Sequence, residues 1–467
     1  MYFHSIQYGN YYSRTITFTS VLVLSACSHY QALPLTEQSI QQQLQTPSVE
    51  QLTVQASKIK HPLLKRLDFN SQDGLSPDEA AILAVLRNPE LRALRDQQGI
   101  ASAQLLQAGL LPDPQLSYSF SAPSAGTTLD TNNAFGIGLS WEVTALIWQQ
   151  NKISAASKQH DAVVLNIAWQ EWQFAQAAKL ATYQLVIYRQ QLDLLKTLLQ
   201  RLEDNRLRLQ QAADEGLVTE LQRVAAVSAK NLVENRMLAV GQKMQQQRQR
   251  FNRAIGLSPN EVIKLEQSIT LTVQKNRPSY KQLITGIENR RLDLMALKQA
   301  YQSQEERLQI AVLQQFPKIS IGFDHARDNS NLYTLGFGVS MTLPIFDRNQ
   351  GQIALEHATR QQLFDQYNNR LFQARATISE LLVTISSIKQ QIESVTRTIP
   401  DLIQLLKAYR TAIATGQVDV LNYYSTWNTL TNKKIEVLAL KLQLKQAEIA
   451  LEVASGRYQL SIEHDGK

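Results

Sequence analysis

The sequence predicts a mainly α-helical protein that is built from two copies of one unit and carries four β-strands suited to a membrane. Three observations support this fold class. A stretch that begins at Gly136 recurs from Gly336, at an offset of 200 residues, and the same offset relates Gly216 to Gly416. Glycine and proline number only 18 and 13 in 467 residues, which favours long helices over a loop-rich fold. In each half, two short segments alternate apolar with small or polar residues, as strands do.

The first 27 residues are typical of an export signal that ends in a lipidation site. Arg14 precedes an apolar run over 16–26 that is too short to span a bilayer as a helix, and small residues lead to Cys27, the single cysteine. Residues 24–27 resemble the bacterial lipobox, in which the cysteine is acylated and becomes the mature N-terminus. The alternative is an ordinary signal peptide with a chance cysteine. Ser28 follows instead of aspartate, which by resemblance favours sorting to the outer membrane.

The repeat divides the rest of the chain. Residues 28–75 are polar and rich in glutamine, and we expect an extended segment that lies on the folded body. Each repeat contains a helix, two strands and a long helical hairpin, and upstream of the shared glycines the offset between repeats is 203 residues. We predict repeat 1 over 76–257, an equatorial linker over 258–285, repeat 2 over 286–457 and a C-terminal tail over 458–467.

The four alternating segments each have one apolar face and one face of glycine, serine and polar residues. The second and fourth segments have nine residues each, which suits a tilted strand that crosses a membrane at about 9–11 residues. We expect their apolar face to contact lipid, and the alternative is a sheet packed on helices in a soluble protein. Polar loops are predicted over 122–134 and 324–333. The predicted strands are Gln115–Ser121, Phe135–Val143, a third strand over 318–323 and Leu335–Leu343.

Strands in lipid cannot leave their edges unpaired, because each orphan backbone group costs several kcal/mol. Four strands cannot close a barrel, since the smallest membrane barrels have about eight. We therefore expect two, three or four copies of the chain to share one barrel.

A very long helix is predicted after each second strand, over 153–215 and over 353–415, with a kink at Pro400 in the second. Both helices carry apolar residues at heptad spacing, and we expect them to pair in coiled-coil fashion.

Shorter helices are predicted to stack end to end beside the long ones. The helices that return from the hairpin tips cover 220–255 and 420–455. The helices that precede the strands cover 77–111, with a kink at Pro89, and 286–315. Together each pair matches the length of its long neighbour, and the linker segments are expected to surround the joint.

Each long helix should end at a glycine turn. Gly216 and Gly416 suit the left-handed position past a helix end, and Thr219 and Asp419 suit the N-cap of the return helix. Ser76 is likewise predicted to cap the helix that it precedes, in a capping box with Glu79.

From about Leu75 to Tyr458 the chain resembles the TolC family of outer-membrane efflux proteins. The motifs that carry the resemblance are Asn88-Pro89-Glu90-Leu91, residues 108–114 and residues 343–351, of which Pro-Ile-Phe-Asp-Arg-Asn is the most specific. The resemblance implies a homotrimer whose chains share a twelve-stranded β-barrel in the outer membrane of a Gram-negative bacterium. The helices would continue across the periplasm as a hollow α-barrel that is closed at its far tip.

The resemblance also implies a passive exit duct for small molecules such as drugs or metal ions. Its partners would be a periplasmic adaptor, an inner-membrane transporter of the RND type and outer-membrane lipid. By position, Asp419 matches the first of two acidic residues that ring the inner constriction of the family, whereas the second is Asn422 and a gating tyrosine is Ile413. The hairpin tips that would meet the adaptor are Gly216, Leu217, Val218, Thr219, Gly416, Gln417 and Val418.

Two other functions stay open on the sequence. A duct for type I protein secretion would share the architecture, and a soluble periplasmic coiled-coil scaffold with a small sheet would share the helices. No histidine has a metal-ligand partner at helical spacing, and no nucleotide loop or nucleophile elbow occurs. His325, predicted in an external loop, is expected to be solvated. We expect no enzyme activity, no cofactor and no metal site. Because the net charge of +7 is spread along the chain, we also expect no nucleic-acid partner.

Overall fold

The computed structural model describes residues 30–44, 54, 74–124, 131–259, 261, 263–266, 269, 271, 278–414 and 420–457. The chain divides into two compact units, Met1–Ser48 and Val49–Lys467. The described part of the first unit contains one helix, α1 (Glu37–Leu44), so the expectation of an extended segment over 28–75 is wrong at this position. Thr36 starts α1 because its Oγ1 accepts a hydrogen bond from Ser39 N at 3.2 Å.

The second unit holds the other described elements, in two similar sets of helices, two strands and a long hairpin. Among the described residues, no helix combines the length and the apolar character that crossing a membrane requires. The helices are α2 (Pro77–Arg87), α3 (Pro89–Gly109), α4 (Ala145–Asp214), α5 (Glu220–Ala254), α6 (Tyr280–Ile284), α7 (Leu292–Leu313), α8 (Gln350–Ala414) and α9 (Val420–Ser455), with a 3-10 turn at Ile287–Asn289. The strands are β1 (Gln115–Ser121), β2 (Ala134–Glu142), β3 (Ile319–Arg327) and β4 (Tyr333–Met341).

The helix expected over 77–111 is two helices, α2 and α3, which meet at Asn88. Asn88 has extended backbone, with φ −58° and ψ 122°, because the ring of Pro89 disfavours helical geometry in the preceding residue. Its Oδ1 accepts a hydrogen bond from Glu90 N at 2.9 Å and so caps the second helix. The capping box predicted at the start of α2 is confirmed, since Ser76 N donates to Glu79 Oε2 at 2.8 Å and Ser76 Oγ accepts from Glu79 N at 3.2 Å.

The two long helices extend further than the sequence pattern indicated. α4 has 70 residues and begins eight residues before the expected start, and α8 has 65. The extra turns of α4 are stabilised by tertiary contacts, because Trp148 is buried and Thr144 Oγ1 accepts a hydrogen bond from Ile319 N at 2.5 Å. α8 continues as a helix through Pro400, so the proline does not end it.

The heptad residues of the long helices form the core, but the two long helices are not each other's main partners. α4 packs on its return helix α5, on α2, α3 and α7, and on α9 of the second hairpin, whereas α8 packs on α9 and α7. One core cluster shows this arrangement, since Leu195 and Leu202 of α4 contact Val233 of α5 and Ile435 of α9. Burial of each such side chain stabilises the fold by roughly 1.5–3 kcal/mol. The shorter helices therefore do stack beside the long ones.

The two repeats have the same joint, where a return helix ends against the start of a pre-strand helix. Gly256 follows α5 with φ +70°, and a Cβ atom there would lie 2.6 Å from Arg87 O. Gly456 follows α9 with φ +66°, and a Cβ atom there would lie 3.0 Å from Arg290 O. Both joints thus need glycine for its backbone conformation and for its lack of a side chain.

A hydrogen bond in the same place reinforces each joint. Asn88 Nδ2 donates to Ala254 O at 3.0 Å in the first repeat, and Arg291 Nη1 donates to Ala454 O at 3.2 Å in the second. Asn88 and Arg291 are 203 residues apart, and Ala254 and Ala454 are 200 residues apart, which are the two offsets between the repeats. The internal repeat is therefore also a repeat of tertiary contacts.

The described parts of the linkers lie against these joints, as expected. Leu75 pairs with Leu265 in an isolated parallel bridge, in which Leu75 N donates to Lys264 O at 2.9 Å. Leu283 and Ile287 are buried in the core cluster of α8 and α9. The linker segments thus cover the apolar ends of the stacked helices.

A buried ionic cluster joins the two repeats at the same level. Lys179 of α4 is 2% exposed, and its Nζ lies 3.3 Å from Asp78 Oδ1 of α2 and 3.6 Å from Glu452 Oε2 of α9. Gln176 Nε2 also donates to Glu452 Oε2, at 3.3 Å. The sequence pattern did not identify this cluster, because lysine and carboxylates mostly lie on protein surfaces.

The four strands form one antiparallel sheet in the order β1-β2-β3-β4. β2 and β3 pair across the repeat boundary, with Ile137 opposite His325, so the two strand pairs are fused into one sheet. The predicted loop over 324–333 is shorter in the structure and covers 328–332, because β3 continues to Arg327 and β4 begins at Tyr333. Residues 324–327 belong to β3 because their backbones pair with β2 on one side and with β4 on the other.

Candidate functional site

One face of the sheet is apolar and is not covered by the helices of the chain. Leu116, Leu139, Phe323 and Phe337 form a row across all four strands and are 75%, 48%, 57% and 62% exposed. Leu335 of β4 is 82% exposed. A contiguous exposed apolar surface of this kind marks contact with a partner or a membrane. The expectation that the strands present an apolar face outside the chain is confirmed, and a sheet packed under its own helices does not fit these exposures.

The opposite face of the sheet is lined by glycine, serine and Asp324. Gly138 lies opposite Ser117 and Asp324, and Asp324 lies opposite Gly336. A Cβ atom at Gly336 would be 2.5 Å from Asp324 Oδ1, so the carboxylate occupies the space that a side chain would fill. The two faces therefore differ sharply in polarity, as the alternation in the sequence predicted.

Aromatic and apolar side chains surround the base of the sheet, where it meets the helices. Phe316 and Phe346 are 61% and 93% exposed, while Trp141 Nε1 donates to Pro112 O at 2.8 Å. Trp148, in the first turn of α4, is instead buried. The exposed aromatics are suited to a membrane–water boundary, because girdles of aromatic side chains flank the apolar band of membrane barrels.

The first hairpin tip has the geometry that the sequence predicted. Gly216 adopts φ +70°, and Leu217 N donates to Ala212 O at 2.8 Å, which closes the end of α4. Thr219 caps α5 in a capping box with Gln222. Leu217 is 72% exposed, so a rigid turn presents a large apolar side chain to solvent.

The second hairpin tip is only partly described. Gly416, Gln417, Val418 and Asp419 lie outside the described residues, as does Cys27. Ile413 is in the last turn of α8, although its side chain is likewise outside the described part. Asn422 lies in the first turn of α9 and is exposed, and its backbone O accepts a hydrogen bond from Thr426 Oγ1 at 2.9 Å.

Polar and aromatic contacts that the sequence analysis missed join the two hairpins near their tips. The Arg201 guanidinium of α4 lies 4.1 Å from the ring centroid of Trp427 on α9, and Arg236 of α5 donates to Asn432 of α9. Tyr424 packs against the same cluster, and burial raises the pKa of its hydroxyl. The sequence feature that could have indicated these contacts is a cluster of three aromatic residues just after the second tip: Tyr423, Tyr424 and Trp427.

His325 lies in β3 rather than in a loop. Its ring stacks on that of Tyr333, with centroids 5.9 Å apart. Within the described part of the chain, no group of three or more histidine, cysteine, aspartate or glutamate side chains is arranged to hold a metal ion.

Comparison with known protein families finds one match, which lies in the second half of the chain. Residues 283–457 match the family model described as outer membrane efflux protein. No curated protein sequence matches the chain.

Solved structures share the fold over most of the chain. Structures of CusC, reported with transmembrane channel formation, align with a TM-score of 0.70 and 18% identity, covering 86% of this chain and 98% of that one. The outer membrane protein VceC of Vibrio cholerae aligns with a TM-score of 0.67 and 17% identity, covering 82% and 96%. The open-state outer membrane channel MtrE of Neisseria gonorrhoeae aligns with a TM-score of 0.67 and 16% identity, covering 86% and 97%.

Proposed function

We propose that this chain is an outer-membrane efflux protein of the TolC family and that it is the passive exit duct of a tripartite efflux pump, through which small molecules leave the periplasm. The energy would come from an inner-membrane transporter of the RND type, joined to the duct by a periplasmic adaptor. Cys27 would carry the lipid that anchors the mature chain in the outer membrane. Drugs and metal ions are the proposed cargo.

The observation that carries this proposal is the uncovered apolar face of the four-stranded sheet, with a glycine-rich polar face behind it. β1 and β4 each have one strand neighbour among the described residues, so each leaves one edge for a further strand. In lipid those edges must be paired. Three copies of the chain, with β4 of one beside β1 of the next, would give twelve strands whose polar faces line a lumen.

The helices supply the length that a duct across the periplasm needs. The 70 residues of α4 correspond to roughly 105 Å at about 1.5 Å per residue. We propose that opening is a shear of the hairpins at the tip, because α9 contacts α4 and α5 through side chains that can exchange partners.

The function is tested by deleting the gene and following the fluorescence of ethidium and Nile red inside the cells. The deletion strain should accumulate both dyes, and the wild-type gene should restore export. Unchanged dye levels together with loss of an exported protein would contradict the proposal and favour a type I secretion duct.

The first hairpin tip is the proposed adaptor-contacting surface, because Leu217 is exposed on a turn fixed by Gly216 and Thr219. A Leu217→Cys variant should form a covalent adduct with the adaptor when cells are treated with a thiol–amine crosslinker. The matched control is Ser330→Cys, in the exposed loop between β3 and β4. An adduct from the control position and none from Leu217→Cys would overturn the assignment of the tip.

Asp419 is proposed to form a ring of three carboxylates at the constriction of the trimer, where Asn422 replaces a second ring. In planar bilayers, Asp419→Ala should lower the preference for cations over anions, because the charge at the narrowest point is lost. Asn422→Asp should raise that preference by adding a second ring. The reversal potential in a salt gradient measures both effects, and identical values for all three proteins would exclude this role.

A further inference from the structure

The apolar face of the sheet carries basic side chains at one end only. In the four strands, seventeen residues point to this face by alternation and register, and fifteen of them are apolar or aromatic. The two exceptions are His325 and Arg327, the last outward residues of β3. The acidic residues of the strands, Glu142 and Asp324, belong to the opposite face.

Arg327 is held in place by aromatic neighbours. It lies opposite Phe135 and Tyr333 in the sheet, and its guanidinium carbon is 5.0 Å from the ring centroid of Phe135. Nη2 donates to Asn133 O at 2.7 Å, while Nε has no hydrogen-bond partner among the described residues. A bond to a neutral carbonyl does not compensate the positive charge, and because Nε is buried, the N–H groups that stay available are those of the two terminal nitrogens.

His325 adds a second donor beside Arg327. The two residues are two positions apart on one strand face, which separates them by about 6.6 Å along β3. The imidazole stacks on Tyr333, which is 55% exposed. A neutral imidazole already offers one N–H, so His325 can donate in either protonation state.

The position of this pair relative to the membrane follows from the proposed function, on which this inference rests. The helices lie on the periplasmic side, so the end of the sheet at the loop over 328–332 is the outer end. The phosphates of outer-leaflet glycolipids lie at that level, just above their acyl chains. Tyr118, Ile137 and Leu335 lie in the same row of the sheet as His325. The next row toward the helices, below the pair, consists of Leu116, Leu139, Phe323 and Phe337 and offers an apolar surface to those chains.

From this arrangement we infer that Arg327 and His325 form a binding site for the phosphorylated head group of an outer-leaflet glycolipid. Arg327 binds a phosphate oxygen through charge-assisted hydrogen bonds, which are shorter and stronger than bonds between neutral groups. His325 donates to the same or the adjacent phosphate. The acyl chains lie along the rows of Leu, Ile and Phe side chains, which would remove both lipid and protein apolar surface from water.

The test is lipid binding to the purified, detergent-solubilised protein, measured by native mass spectrometry with added hexa-acyl lipid A that carries two phosphates. The double variant Arg327→Gln, His325→Gln should bind this lipid about tenfold more weakly than wild type, as expected for the loss of charge-assisted bonds. Arg327→Lys keeps the charge and should retain most of the binding. Dephosphorylated lipid A should bind wild type as weakly as it binds the double variant.

Lys318→Gln is the matched control, because it removes one positive charge just before β3, at the opposite end of the sheet, where Lys318 is exposed. It should bind the lipid as wild type does. Equal binding by wild type and the double variant, or an equal loss in Lys318→Gln, would overturn the inference. Failure of the wild-type protein to fractionate with outer membranes would instead contradict the proposed function, so the two failures are distinguishable.

Discussion

Gly256→Ala is expected to cause one of the largest losses of stability that a single methyl group can produce in this protein. Residue 256 has φ +70°, and the added Cβ would lie 2.6 Å from Arg87 O and 2.8 Å from Arg87 C. The left-handed conformation costs a non-glycine residue about 1–2 kcal/mol, and overpacking against backbone costs about 1–3 kcal/mol more. The midpoint of thermal dissociation of the purified oligomer should fall clearly, and less protein should reach the outer membrane.

Gly216→Ala separates the two causes. Gly216 has the same φ of +70°, but a Cβ atom there would meet nothing within 4 Å. This variant should therefore show only the conformational cost of about 1–2 kcal/mol. Equal losses in the two variants would show that the joint at Arg87 has room for a methyl group, and that crowding does not explain the glycine.

Lys179→Met is expected to destabilise the joint between the repeats by about 3–5 kcal/mol, the usual effect of removing one partner from a buried ion pair. The substitution keeps an unbranched side chain, one atom shorter, but leaves Asp78 and Glu452 without their shared positive charge. Both carboxylates are then held close together in a poorly solvated site. The thermal midpoint of the oligomer and its resistance to proteolysis at the joint should both decrease.

The matched control for this prediction is Lys433→Met. Lys433 pairs with Glu436 one helical turn away at 2.9 Å, but both side chains are exposed, at 38% and 46%. An exposed pair contributes at most about 1 kcal/mol, because water solvates both charges. A loss in Lys433→Met as large as that in Lys179→Met would contradict the role assigned to burial.

Much of the fold could be predicted from local patterns. The alternation of apolar and small residues located all four strands, with β1 correct to the residue at Gln115–Ser121. The glycine turn at Gly216 and the N-cap at Thr219 were also predicted correctly, since both depend on a few adjacent residues. The resemblance to a family of efflux ducts came from short motifs, which the family match over residues 283–457 supports.

The errors occurred where distant residues decide the structure. β3 extends through Asp324 and His325 because it pairs with β2 on one side and with β4 on the other. The local sequence of β3 carries no information about these pairing partners. The contact of α9 with α4 also depends on how the two hairpins are arranged in space. The binding roles of the tips at Gly416 and Asp419, and lipidation of Cys27, stay predictions.

The amino-acid pattern alone was thus sufficient for the internal repeat, the strand faces and the helix caps at Ser76, Gly216 and Thr219, because the faces and the caps reflect steric and solvation preferences over a few consecutive residues. Tertiary structure decided which helices pair, where the charged residues Lys179, Asp78 and Glu452 are buried, and which side chains share the outer end of the sheet. These features depend on residues that are hundreds of positions apart, and no local preference encodes such a contact. The apolar face of the sheet depends on both the sequence and the tertiary structure. The alternation of residues predicts the face, and the packing of the helices elsewhere leaves it exposed.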